Sequence, residues 1–213
     1  MSAQFSPQYW FDLICEAWSP FATSHRIIPF CTPVFQRPSA LIVGTNHSDF
    51  VEGGGEEAER IADELAAGVP TESTFQVHDH KFARGLREVC NRTSDIRIDE
   101  TWMGTNRCAV QTGPDGLKEI ESNPRFSECH KKMHGILRDL IAELAPRNVI
   151  LVGKRAAELF YNKAGSTPLA SLKPRDIRYP GADGTTRVIA IPHPSRAAYW
   201  QQAADILAKH FQR

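Results

Sequence analysis

The sequence predicts an α/β protein, a three-layer αβα sandwich with a mainly parallel four-stranded sheet. Three observations carry this expectation. Short apolar runs alternate with segments of helical period, which implies crossover connections and helices on both faces of a sheet. Two of the runs, Ala40–Gly44 and Arg187–Ile191, stop abruptly at polar loops. The chain has 213 residues, enough for one sizeable core, so residues 1–213 read as a single domain.

Pro7 to Trp18 carries Trp10, Phe11, Ile14, Cys15 and Trp18 at helical spacing, which predicts a short helix packed on the core. Residues 19–39 hold Pro20, Pro29, Pro33 and Pro38, which predicts an extended, irregular lead-in. The first strand is Ala40–Gly44, followed by the polar loop Thr45–Asp49. Gly53, Gly54 and Gly55 then break the chain ahead of a helix over Glu56–Ala67, with Ala58, Ile61, Ala62 and Leu65 on one face.

Phe82, Leu86 and Val89 suggest a helix from about Asp79 to Arg92. Glu100–Val110 reads as a second strand running into a loop at Gly104–Arg107, and Thr112–Pro124 as a turn-rich connection. The longest helix spans Phe126 to Leu144, with Pro146 just past its end. Val149–Gly153 is the third strand, followed at once by a helix over Lys154–Lys163. Gly165–Gly184 is loop-rich, Arg187–Ile191 is the fourth strand, and Arg196–Phe211 closes the chain as an amphipathic helix.

Composition narrows the function. With 41% hydrophobic and 23% charged residues, a globular core is expected and disorder is not. The formal net charge is zero, so any grip on nucleic acid must come from a local patch. No run approaches the length of a membrane span, and the N-terminus lacks a secretion pattern. Five cysteines at scattered spacings are not a disulfide framework, and a reducing cytoplasm is the simplest home. A monomer is the expected state.

Chemistry gathers at the strand ends. Asn46 can orient a water through its carboxamide but cannot take a proton at neutral pH, whereas Asp49 can act as a base. The same loop equally suits a turn or helix cap. His193 stands between Pro192 and Pro194, which restrict the backbone and pre-set the imidazole to donate where negative charge develops on an oxygen. Ser195 is placed to cap the last helix. Asn106 carries both donor and acceptor and can read the edge of a base or amide. Phe82 can stack on a ring or serve the core. Lys154, Arg155, Arg175, Arg178 and Arg196 can line a mouth and meet phosphates, or lie solvated on the surface.

From about Cys15 to the C-terminus the chain resembles the uracil-DNA glycosylase superfamily. Gly44-Thr45-Asn46-His47 is similar to the Gly-x-Asn-Pro motif of its mismatch-specific branch. Thr105-Asn106 is similar to its central Thr-Asn, and His193-Pro194-Ser195 matches its last motif in full. The block Ala145–Ala157 looks like the family's helix–strand–Gly–helix segment. Lys81–Gly85 resembles a stretch of the iron–sulfur branch whose Phe stacks on the base.

The resemblance implies a uracil-DNA glycosylase-like fold and excision of uracil, or a related deaminated base, from DNA. The base is flipped out of the helix. Phe82 or Phe50 stacks on it, Asn106 bonds its edge and Thr45 joins the base pocket. His193 stabilises the charge on the base oxygen, and Asn46 with Asp49 positions the attacking water. Ser195, Arg196 and Lys154 contact DNA. No lysine Schiff base is implied, so the reaction stops at an abasic site.

The sequence departs from the family at three places. His47 stands where the first motif has proline. Neither Thr45 nor Asn46 is acidic, which leaves open a member that binds nucleic acid or a nucleobase without hydrolysis. The cysteines of the iron–sulfur branch are incomplete: Cys15 begins a Cys-x-x-Cys-like pair whose second position is Trp18, Cys108 stands two residues early, and Cys129 fits. A cluster requires four thiolates, so no cofactor is expected.

Overall fold

Runs of β-branched and aliphatic residues set the middle layer of the molecule. The computed structural model describes residues 5–47, 55–93, 95–112, 116–161, 168–179 and 184–212. Five strands form one sheet: β1 (Ala40–His47), β2 (Trp102–Gln111), β3 (Asn148–Val152), β4 (Arg175–Ile177) and β5 (Thr186–Ile191). Their order is β2-β1-β3-β5-β4. The first three pairings are parallel, and β4 adds antiparallel to β5. All of β3 is buried, as its unbroken Val-Ile-Leu-Val run requires of a strand covered on both faces.

The sheet departs from the sequence expectation in three places. It has five strands rather than four. β4 lies in the segment expected to be loop, because it is a short edge strand with charged residues and no apolar run. Asp176 of β4 takes both guanidinium bonds of Arg187 on β5, at 2.8 and 2.9 Å. β1 runs on past Gly44 through Thr45, Asn46 and His47, paired to β2 as far as Gln111 with a bulge after Asn46. The expected loop at Gly104–Arg107 is instead the middle of β2.

Polar residues hold strand geometry there because β2 is paired on both sides. One side is β1. On the other, the proline-rich lead-in bridges through Ile27 to Val110 and Phe30 to Thr105. Cys31 N–H donates to Gly104 O at 3.1 Å, and Thr105 Oγ1 donates to Pro29 O at 2.7 Å.

The helices follow their apolar periods. α1 (Pro7–Trp18) is capped by Ser6, whose hydroxyl accepts from Tyr9 N–H at 3.3 Å, with Pro7 in the first turn. α2 (Glu56–Ala67) packs Ile61, Ala62 and Leu65 on Ile28, and Arg26 pairs with Glu59 and Asp63. α3 (Thr74–Val77) is a single unforeseen turn, and α4 (Lys81–Asn91) lies inside its expected range. α5 (Gly116–Ser122) occupies the connection expected to be turns. α6 (Phe126–Leu144) has the expected bounds and ends on Ala145 in the left-handed region, just before Pro146. α7 (Gly153–Ala157) is shorter than expected. α8 (Trp200–His210) follows a 3-10 turn over Ala197–Tyr199.

Strand alternation sorts the core into two layers. Leu41, Val43, Val149, Leu151, Val188 and Ala190 meet α1, α5, α6 and α7. Ala40, Ile42, Ile150, Val152, Ile189 and Ile191 meet α4 and α8. Each fully buried aliphatic side chain contributes roughly 1.5–3 kcal/mol by leaving water. Among the described residues no helix is long and apolar enough to cross a membrane.

Candidate functional site

The alternation that builds the second core layer also chooses which polar groups share a face. In β1, Asn46 follows Ile42 and Gly44 by steps of two. In β2, Asn106 follows Trp102 and Gly104 in the same way, and in β5 Ile189 and Ile191 lead to His193. Parallel pairing brings the carboxyl ends of these strands to one edge, where ligand crevices form in open α/β sheets. The face is the one covered by α4 and α8.

A cleft of about 880 Å³ opens at this edge. Thr45, Asn46, Phe82, Lys154, His193, Ser195 and Arg196 all line it. Asn106 is not among the lining residues. It sits one pleat deeper, paired in register with Gly44 and buried. A Cβ on Gly44 would overlap Asn106 Oδ1, so the missing side chain of Gly44 is what makes room for the carboxamide. Asp49 and Phe50 lie outside the described residues.

His193 is held from its own turn. Ser195 N–H donates to His193 Nδ1 at 3.3 Å, and the Ser195 hydroxyl lies 2.7 Å from the same nitrogen. An Nδ1 that accepts from a backbone N–H carries no proton, so the neutral ring bears its hydrogen on Nε2. Burial, with Arg196 nearby, pushes the imidazole down to about 4, so the ring is neutral at physiological pH. The geometry corrects one expectation: Ser195 does not cap α8, whose start has no side-chain cap, because its hydroxyl is turned to the imidazole.

Phe82 reaches the cleft because α4 lies directly on the 193–195 turn. A Cβ on Gly85, one helical turn after Phe82, would overlap the Pro194 carbonyl. That close approach brings the Phe82 ring edge-on to His193, with centroids 5.4 Å apart and planes at 64°. His80 caps α4 by accepting from Ala83 N–H at 3.2 Å, and its ring lies parallel to that of Phe82 with centroids 6.4 Å apart. Phe82 is half-buried, so it serves the core and the cleft together.

Asn46 Nδ2 donates to Thr112 O at 3.1 Å, which orients the carboxamide at the end of β1. Thr112 lines the cleft too, as do Lys81, Tyr199 and Gln202. Nothing in the sequence pattern marks Thr112, since its carbonyl meets Asn46 from a point far along the chain. Lys81, Lys154 and Arg196 give the lining three cations, and no Asp or Glu is among the described lining residues. In a chain of zero net charge, this is a local basic patch.

Other cations expected at the mouth go elsewhere. Arg155 pairs with Glu121 at 2.8 Å, and Arg175 packs over the Tyr161 ring at 4.7 Å. Arg178 is not among the cleft-lining residues.

The residues compared with the iron–sulfur branch do not fit four-thiolate ligation. Cys108 and Cys129 are buried in the first core layer, with Cys15 at its margin. Burial pushes the Cys108 thiol up to about 12 and the Cys15 thiol up to about 11. At the fourth position Trp18 is fully buried, its ring 5.9 Å from Phe21 and 5.7 Å from Phe126.

The arrangement can hold a flat, polar, electron-rich group beside an aromatic ring, meet its oxygen with an N–H donor, and screen attached phosphates with cations. A family model described as the uracil DNA glycosylase superfamily matches residues 84–213. No curated protein matches the chain.

Proposed function

The chain belongs to the uracil-DNA glycosylase superfamily, and on that premise we propose that it is a monofunctional DNA glycosylase acting on uracil or a related deaminated base. The observation that carries this reading is that Asn46, Phe82 and His193, from three separate parts of the chain, line one cleft with a basic rim.

In the proposed reaction the base leaves the DNA stack and enters the cleft. Phe82 packs against its ring, Thr45 contacts it, and Asn106 reads its edge from the floor. The bond from the sugar C1′ to the base nitrogen breaks with its electron pair on the base. His193 donates Nε2–H to the base oxygen that gains charge, a role suited to a neutral imidazole in a site shielded from water. A water held by Asn46, with Asp49 as a further candidate, adds to C1′, and its proton ends on the departed base. Ser195, Arg196 and Lys154 meet the flanking phosphates. The chain acts as a monomer and carries no iron–sulfur cluster; what supports the second point is Trp18, buried where a fourth thiolate would be needed.

Incubation with uracil-containing single- and double-stranded oligonucleotides, followed by alkaline cleavage of abasic sites, tests the reading. Strand scission that depends on His193 is expected. No product from uracil, hypoxanthine or xanthine at high protein concentration would defeat it.

One observation favours a second reading. The described lining of the cleft has no carboxylate to take the water's proton. A protein that binds DNA or a free base without turnover fits that fact, and tight binding with no abasic product would select it.

A further inference from the structure

We infer that Trp200 is a positioning residue for His193: its indole holds the Pro194 carbonyl and thereby fixes the turn that aims the imidazole into the cleft.

Trp200 Nε1 donates to Pro194 O at 2.6 Å. Proline has no N–H, so this carbonyl is the one backbone hydrogen-bonding group that Pro194 owns. Pro194 is buried, and a buried carbonyl left without a donor is unfavourable. The residues on either side of Pro194 are His193 and Ser195, which are tied to each other by the two bonds to Nδ1. Arg196 N–H closes the same turn on His193 O at 3.3 Å. The indole bond is therefore the tie between this self-contained turn and the body of α8.

α4 braces the turn in two ways. Gly85 lies directly against the Pro194 carbonyl, on the helix that carries Phe82. Arg92, just past the end of α4, holds its guanidinium 5.6 Å from the Trp200 ring centroid and donates to Gln201 Oε1 at 3.3 Å. Phe82 and Trp200 thus meet the 193–195 turn from two helices. Removing the indole N–H frees the turn to rise toward water, which hydrates the imidazole and tilts its Nε2–H out of the cleft.

The inference rests on the proposed glycosylase reading only for its kinetic consequence, so the test has two arms. In the DNA-free protein, the His193 ring is titrated by NMR in wild type and in Trp200→Phe, which keeps an aromatic ring and loses the donor. The expected result is a His193 midpoint that climbs by about one pH unit or more toward its ordinary value, while that of His80, buried in the same layer, stays where it was. In the kinetic arm, Trp200→Phe lowers kcat on a uracil-containing oligonucleotide roughly 10- to 100-fold and leaves KM within about twofold. Equal movement of His193 and His80 would mean general loosening and would overturn the inference, as would no movement of either. Absence of glycosylase activity in wild type defeats the functional reading and leaves the titration arm standing. If Trp200→Phe does not fold, hydrogen exchange of the Trp200 indole in wild type decides: strong protection is expected, and exchange at the rate of an exposed indole rejects the bond.

Discussion

Asn106 Oδ1 occupies the space that a side chain on Gly44 would need. The two residues are register partners across β1 and β2, so their backbones cannot separate without distorting the ladder and the buried carboxamide must turn instead. Gly44→Ala is therefore expected to cost roughly 1–3 kcal/mol of stability by overpacking. It also displaces the carboxamide and, in the proposed reaction, weakens base recognition. Urea unfolding together with uracil binding measures both effects. Gly68→Ala is the control, because a Cβ there meets nothing within 4 Å. Its effect on stability should stay within about 0.5 kcal/mol.

Gly85 stands in a similar relation to Pro194, but the obstacle is backbone rather than side chain. A backbone carbonyl cannot swing aside, so Gly85→Ala must push α4 away from the 193–195 turn. The expected cost is again roughly 1–3 kcal/mol. The Phe82–His193 contact opens, and turnover in the proposed reaction falls more than that cost alone would suggest. Unfolding curves and single-turnover rates, measured on one preparation, test this; unchanged turnover would show that the contact is not needed.

Three side chains divide the work of the proposed reaction. His193→Ala removes the donor to the developing oxyanion and should lower kcat about 10²- to 10³-fold. Asn46→Ala removes the group that orients water, with a loss on the order of 10²-fold. Phe82→Ala acts mainly on binding and raises KM. Steady-state kinetics on one uracil-containing oligonucleotide distinguish the three, and a His193→Ala enzyme with wild-type kcat would refute the assignment.

Acid should destabilise the protein through buried neutral histidines. His80, His130 and His193 are each pushed down to about 4, chiefly by burial. In the unfolded chain the same rings titrate near 6.5. Between those values the unfolded state binds more protons, so stability falls as pH drops from about 6.5 and levels off below about 4. The two deeper rings, His80 and His193, contribute on the order of 2 kcal/mol apiece, and the more exposed His130 less. Urea midpoints across this range provide the measurement. Turnover, which in the proposed reaction uses the neutral ring, should persist through pH 6.5 and decline only toward 4.

Trp18 fills the space between α1 and α6 with an aromatic cluster. Trp18→Ala is expected to cost about 3–5 kcal/mol. The purified protein should contain no stoichiometric iron and no visible charge-transfer absorbance, and chelators should not shift its melting temperature. Stoichiometric iron in elemental analysis would reverse that expectation.

Much of the fold was written in periodicity. The 3.6-residue spacing of apolar side chains gave α1, α2 and α6 their bounds, and β3 and β5 announced themselves as continuous aliphatic runs. The failures share a cause. β4 is held by its neighbour β5 and by the Asp176–Arg187 pair, with no apolar pattern of its own. Residues 45–47 and 104–107 are polar, and read as loop, yet both are strand: β2 carries the first stretch along its edge, and the second has β1 on one side and the lead-in on the other. The candidate site was partly legible: Asn46 and His193 stood at the ends of apolar runs, and Phe82 lay on a short motif. Thr112 and Gly85 were not, since each acts through a partner distant in sequence, and neither was Trp200, whose bond to Pro194 forms only when the chain turns back between β5 and α8.

By itself the sequence determined which residues are apolar at which period, and so the layers of this molecule and the placing of Asn46 and His193 just past apolar strands. Only the tertiary structure decided that Gly44 yields its volume to Asn106, that α4 touches the turn after β5, and that Ser195 serves the imidazole rather than a helix end. The physical reason is that periodicity records burial, a property each residue carries along its own element. Close approach, register and hydrogen-bond partnership belong to pairs of elements, and they exist only once packing has set the distances between them.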